Sequence, residues 1–255
     1  MLSKIQSWAV HIFTASGAVA GFLSLEAIFS DNIFLAFIWL SIAFFIDGID
    51  GFFARHYMVK DNLPKIDGQV LDNIIDYLNY VFIPAIMVYW FNLVPSQLTL
   101  LAVALILIVS CYTFANTKLK TEDYYFRGFP AAWNIIVFYL FVIGTSQLLN
   151  FLIIIFFSVM TFVPIKYLHP FRVKEKMLLN LFMNALWGLC CIFLLMDSPI
   201  KGKFVANPEE ILIADTLILT NLIKLLISPG VEKNIMPTFL EYFLSFNNSL
   251  TEKFL

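Results

Sequence analysis

Residues 47–76 read D-G-I-D-G-F-F-A-R-H-Y-M-V-K-D-N-L-P-K-I-D-G-Q-V-L-D-N-I-I-D, and almost uninterrupted apolar runs flank them at 32–46 and 77–93. Asp47 and Asp50 close the first run, three residues apart, and Asp72 and Asp76 open the second, four apart. Spacings of three and four put side chains on one helix face. Two helices joined by a connection this short pack as antiparallel neighbours, so all four carboxylates can converge on one point.

The rest of the chain says what surrounds that point. Of 255 residues, 60% are hydrophobic and 13% charged, against about 25% charged in an ordinary soluble domain. Lipid is the solvent this composition requires. Apolar runs long enough for a bilayer span stand at 7–29, 32–59, 68–93, 96–117, 131–147, 148–168, 178–196 and 211–229. The boundary near 148 is thin, marked by Ser146, Gln147 and Asn150. The backbone has no partner in lipid but itself, and the runs lack the alternation of a barrel, so they are expected to be helices. The expectation is an all-α polytopic transmembrane bundle of eight helices, one membrane domain over 1–230. A tail follows at 231–255, in which Phe239, Phe243, Phe246 and Leu250 recur at the spacing of an amphipathic interfacial helix. A net charge of −2 gives no reason to propose nucleic acid. The first run lacks a cleavage pattern and is not read as a signal peptide. Cys111, Cys190 and Cys191 lack metal-ligand spacing and read as packing residues.

Basic residues orient the bundle, because Lys and Arg collect in loops that stay inside. Of 16 Lys and Arg, 14 fall on one side if both termini are cytoplasmic, and Lys201 and Lys203 fall on the other. The aspartates then lie at the cytoplasmic end. Counting from residue 32 at 1.5 Å per residue puts Asp47 about 22 Å into the bilayer, one or two turns from the inner face. Each unpaired carboxylate at membrane depth costs at least about 2.5 kcal/mol. Hard divalent cations with oxygen ligands, Mg2+ or Mn2+, offset that cost and also bind phosphates. Gly51, Ala54 and Gly68 leave space beside the acids, either for a nucleotide or for close helix approach, and Arg55 can meet a phosphate or neutralise an aspartate. An intramembrane charge network or an ion-conducting path is the competing use of such acids.

The pattern D-x-x-D-G-x-x-A-R at 47–55 followed by G-x-x-x-D-x-x-x-D at 68–76 resembles the signature of the CDP-alcohol phosphotransferase family. That resemblance implies that Asp47, Asp50 and Asp72 bind two divalent metals which grip the diphosphate of a CDP-linked donor. It implies that Asp76 also lies at the metals and acts as general base, with Gly51 and Ala54 making room for the cytidine. Asp50, Arg55 and Gly68 belong to the same CDP-binding group. The chain departs from the common pattern in carrying 12 residues between Arg55 and Gly68, which Lys60, Asp61, Pro64 and Lys65 mark as a longer cytoplasmic loop. The longer loop is similar to that of the bacterial phosphatidylcholine synthase branch, as are eight spans and the stretches 76–84, 126–134 and 164–173. For that branch the resemblance implies transfer of a phosphatidyl group from CDP-diacylglycerol to choline, release of CMP, a bacterial inner-membrane location with the site facing the cytoplasm, and a homodimer. Serine, glycerol 3-phosphate and an inositol phosphate are the rival acceptors, and a divalent-ion carrier is the reading outside the enzyme class.

A quaternary ammonium has no N–H, so aromatic faces and nearby acids recognise it. Aromatic residues make up 17% of the chain, so abundance selects none of them. Depth selects Tyr77, Tyr80, Trp133 and Asn134 as choline-contact candidates, with Tyr112 and Asn116 at similar depth. Glu26 and Asp215 lie toward outer helix ends. His11 and His169 are expected at the interface, and His56 beside Arg55 is a candidate for phosphate binding.

Overall fold

The computed structural model describes residues 2–116, 125–168 and 186–192. Among the described residues, four helices are long and apolar enough to cross a membrane: Ser3–Phe29, Ile33–His56, Gly68–Trp90 and Ser96–Ala115. They correspond to the first four expected spans. Helix α1 (Leu2–Phe29) begins earlier than expected, and α2 (Ile33–His56) ends earlier. Met58 takes a left-handed φ of 47° just beyond α2 and starts a single-turn helix, α3 (Val59–Asn62).

The third span is built in three pieces. α4 (Gly68–Tyr77) is capped by Asp67, whose Oδ1 accepts from the amides of Gln69 and Val70 at 2.9 and 3.2 Å. A π-helical turn follows over Leu78–Phe82, and α5 (Ile83–Trp90) continues to the end away from the aspartates. Pro84 explains the widening, because it has no N–H to return to the carbonyl of residue 80 and its ring crowds that carbonyl. The fourth span is α6 (Thr99–Ala115), entered through a 3-10 turn at Ser96–Leu98.

Two shorter apolar helices follow, α7 (Trp133–Ile143) and α8 (Gln147–Met160). Gly144 ends α7 in the left-handed conformation, φ 67°, and the Ser146 hydroxyl caps α8. Their 11 and 14 residues give about 16 and 21 Å of rise, short of a ~30 Å core. The expected sixth span therefore overran. Beyond Met160 the chain turns and Lys166–Leu168 (β2) pairs antiparallel with Tyr125–Arg127 (β1), a small departure from an all-α chain. Gly128 sits where the two segments close, at φ 82°. A Cβ there would lie 2.2 Å from the Thr161 carbonyl oxygen, so glycine is required. Of the expected seventh span only the helical stretch 186–192 is described; the eighth span and the tail lie outside the described residues.

α1 packs along α2 and against α4, α5 against α6 and α7, and α6 against α8. Gly17 and Gly21 let α1 close on the third span: a Cβ would meet Ile75 Cγ2 at 2.9 Å in the first case and Asn79 Oδ1 at 2.5 Å in the second. Small residues at helix contacts are how membrane bundles gain close packing. Polar bonds between helices add to it, since Asn79 Nδ2 donates to the Gly17 carbonyl at 3.1 Å and Ser24 Oγ to the Ala36 carbonyl at 3.0 Å. At the end away from the aspartates, Asn150 Nδ2 donates to the Leu93 carbonyl at 2.7 Å and Trp90 Nε1 to Asp31 Oδ1 at 2.8 Å. Phe22, Phe45, Leu100 and Ile108 remain exposed, as side chains facing lipid do.

Candidate active site

The end of α2 and the start of α4 bring the signature residues together. One carboxylate oxygen from each of Asp47, Asp50 and Asp72 lies within 4.8 Å of the other two. Asp50 is buried at 7% exposure, and its two neighbours are half-buried. Oxygens around one Mg2+ or Mn2+ at ~2.1 Å stand about 3–4 Å apart, so the three acids need only a small closure to share an ion, and hard-oxygen donors suit these metals. Like charges held this close repel, and a divalent cation is the species that converts the repulsion into binding. Asp76 is half-buried one turn beyond Asp72 and is not among the three converging acids.

Tyr80 ties the third span to this cluster. Its hydroxyl donates to Asp47 Oδ2 at 2.5 Å, and its phenol lies in the field of Asp47, Asp76 and Asp72. Gly51 and Arg55 form a second edge, since a Cβ at Gly51 would meet Arg55 Nη1 at 3.3 Å; the guanidinium therefore lies back over the glycine. Ala54 is half-buried on the same helix, one turn after Gly51, and Gly68 is exposed at the mouth of α4.

The other choline-contact candidates lie in different surroundings. Tyr77 turns to α6, donating to the Leu107 carbonyl at 3.2 Å with its ring edge-on to Phe114 at 5.6 Å. Trp133 is fully buried, its indole N–H donating to Ser110 Oγ at 2.8 Å and its ring edge-on to Phe129. Asn134 Oδ1 is buried with no hydrogen-bond partner among the described residues. Tyr112 is exposed and accepts from Asn116 Nδ2 at 2.9 Å.

Three further residues stand near the cluster. Phe44 stands one turn before Asp47 on α2 and meets Tyr80 edge-on, with ring centroids 6.2 Å apart. Trp187, from the helical stretch 186–192, meets the same Phe44 at 6.1 Å. Its indole N–H donates to the Tyr139 hydroxyl at 2.7 Å. The third is His11, expected at the interface but 6% exposed, with its ring against Gly68: a Cβ there would meet His11 Cε1 at 3.3 Å. The i−3 position of Phe44 was readable; contacts between distant segments were not.

A profile of the CDP-alcohol phosphatidyltransferase family matches residues 9–164, a range that contains every aspartate of the cluster. Among curated proteins, the chain is 40% identical over 198 residues to phosphatidylcholine synthase of Pseudomonas aeruginosa, covering 78% of this chain and 83% of that one. It is 43% identical over 184 residues to phosphatidylcholine synthase of Mesorhizobium japonicum, covering 72% and 69%. The corresponding Legionella pneumophila protein is 40% identical over 204 residues, covering 77% and 80%. With three of the four signature aspartates folded into one cluster at the end of apolar helices, the chain is a membrane-embedded transferase belonging to the CDP-alcohol phosphatidyltransferase family.

Proposed function

We propose that the protein transfers the phosphatidyl group of CDP-diacylglycerol to choline, giving phosphatidylcholine and CMP. The convergence of Asp47, Asp50 and Asp72 within 4.8 Å carries this reading, together with relatives named phosphatidylcholine synthase over most of their length. Two divalent ions, Mn2+ or Mg2+, would be held by Asp47, Asp50, Asp72 and Asp76 and would supply charge neutralisation for the donor diphosphate and the departing CMP. Asp47, Asp50 and Asp72 fix the position of the diphosphate. Gly51, Ala54 and Gly68 leave the space a cytidine needs, and Arg55, folded over Gly51, offers its guanidinium to a phosphate. Asp76, one turn deeper, takes the proton of the choline hydroxyl as the oxygen attacks the β-phosphorus of the donor and the bond to CMP breaks. No covalent enzyme intermediate is needed. The proposed setting is a bacterial inner membrane with the cluster facing the cytoplasm, and the proposed assembly is a homodimer.

The test is conversion of radiolabelled choline to lipid by purified protein with CDP-diacylglycerol and Mn2+ or Mg2+, with CMP measured alongside. Metal-dependent phosphatidylcholine is expected, and Asp76→Asn should lose roughly 100-fold or more of the rate, the usual weight of a general base. Product from serine or glycerol 3-phosphate but not choline would overturn the acceptor while keeping the transferase. No product from any alcohol would overturn the reaction.

A further inference from the structure

Phe44, Tyr80 and Trp187 come from three segments far apart in sequence, and they meet beside the acids. The Phe44 ring is edge-on to Tyr80 at 6.2 Å and 61°, and to Trp187 at 6.1 Å and 65°. All three are half-buried, unlike the fully enclosed Trp133. Phe44 sits one helical turn before Asp47, and Tyr80 touches Asp47 through its hydroxyl. The two rings that carry a hydrogen-bond donor have already committed it, Tyr80 O–H to Asp47 and Trp187 N–H to Tyr139. These bonds also pin the rings in place. The cluster therefore offers fixed π-faces, an adjacent negative carboxylate and no spare donors from these two groups. A ligand with N–H bonds to satisfy gains little from such walls. A cation that is apolar on its outside and has no N–H at all fits them, because ring quadrupoles attract charge without requiring hydrogen bonds.

We infer that Phe44, Tyr80 and Trp187 form the walls of a quaternary-ammonium cage at the acceptor side of the aspartate cluster, with Trp187 and Phe44 setting selectivity for a fully methylated amine. The inference rests on the choline reading above and adds to it the residues that discriminate. Asp47 supplies the charge at the base of the cage.

The experiment compares choline with N,N-dimethylethanolamine, which retains one N–H when protonated, as acceptors for the wild type, Phe44→Leu and Trp187→Leu, with Trp187→Phe as the conservative variant. Loss of one aromatic wall should raise the choline KM about 3- to 30-fold, the range of a cation–π contact, and lower the choline-to-dimethylethanolamine ratio of kcat/KM by a similar factor. That ratio is taken within one preparation and does not depend on the fraction folded. Trp187→Phe should restore most of the ratio, although it cannot bond Tyr139. Tetramethylammonium should compete with choline in the wild type and lose potency in the leucine variants. If the leucine variants that retain activity keep both the choline KM and the ratio within about twofold, the cage is wrong and choline transfer stands. If the wild type makes no lipid from choline, the acceptor reading falls and takes the cage with it.

Discussion

Tyr80 gives its only proton donor to Asp47, 2.5 Å away, and so fixes one oxygen of that carboxylate. Groups that hold a ligand from behind tune metal affinity by about 10- to 100-fold. Tyr80→Phe keeps the ring and removes the bond. The Mn2+ concentration for half-maximal activity should therefore rise by roughly that factor, with a smaller loss at saturating metal; an unshifted metal titration would show that Asp47 is oriented by other means. At this scale much was readable from the sequence. Spacings of three and four residues pointed to convergence of all four acids, of which Asp47, Asp50 and Asp72 lie within 4.8 Å, and Tyr80 was four residues from Asp76. Trp187 was not readable, because nothing local distinguishes it from any other aromatic in an apolar helix. The burial of His11 was not readable either, since a lone histidine near the start of a span gives no sign that Gly68 will press against it.

Among elements, the connection between α7 and α8 and the one after α8 behave differently. Gly144 and Ser146 announce the first, and the break near residue 148 was expected. The second is held by Gly128, whose amide donates to the Ile165 carbonyl at 2.8 Å while Phe129 donates to Met160 at 3.1 Å. Gly128→Ala combines a positive φ with a Cβ 2.2 Å from a backbone oxygen, and backbone cannot yield as a side-chain tip can. The expected cost is more than about 2 kcal/mol, read as a lower thermal midpoint of the detergent-purified protein; an unchanged midpoint would mean that this junction is not fixed. Apolarity sets where a helix can be, but it does not mark where one ends when the next residues are also apolar, as at Phe162, Val163 and Ile165. That is why the sixth span was drawn too long and the short β1–β2 pair went unseen.

For the molecule as a whole, the aspartate cluster is a local liability that a ligand can reverse. Anything that binds the folded state alone stabilises it by about 2.7 kcal/mol at 100 times its Kd. Chelation with EDTA should lower the thermal midpoint of the wild type, and Mn2+ should restore it. Asp47→Asn should flatten this response; a wild-type midpoint indifferent to both would argue against a metal held by these acids. The membrane character followed directly from composition; the expected pairing of α2 with the third span did not, since both pack chiefly on α1 and α2 touches the third span mainly at its π-helical turn. The lengths of the later helices did not, because packing between them decides how much of each apolar run is helical.

The π-helical turn at Leu78–Phe82 follows directly on the aspartate-bearing segment. It amounts to one residue accommodated beyond a regular helix, and one residue corresponds to about 100° of rotation. A single-codon deletion within 78–82 would leave the reading frame, the charge and almost all of the hydropathy intact. Yet with α5 anchored by its own neighbours, that deletion would swing Asp72 and Asp76 a quarter-turn away from Asp47 and Asp50. The spacing of this segment is therefore under a constraint of length as strict as any constraint on the identity of its side chains.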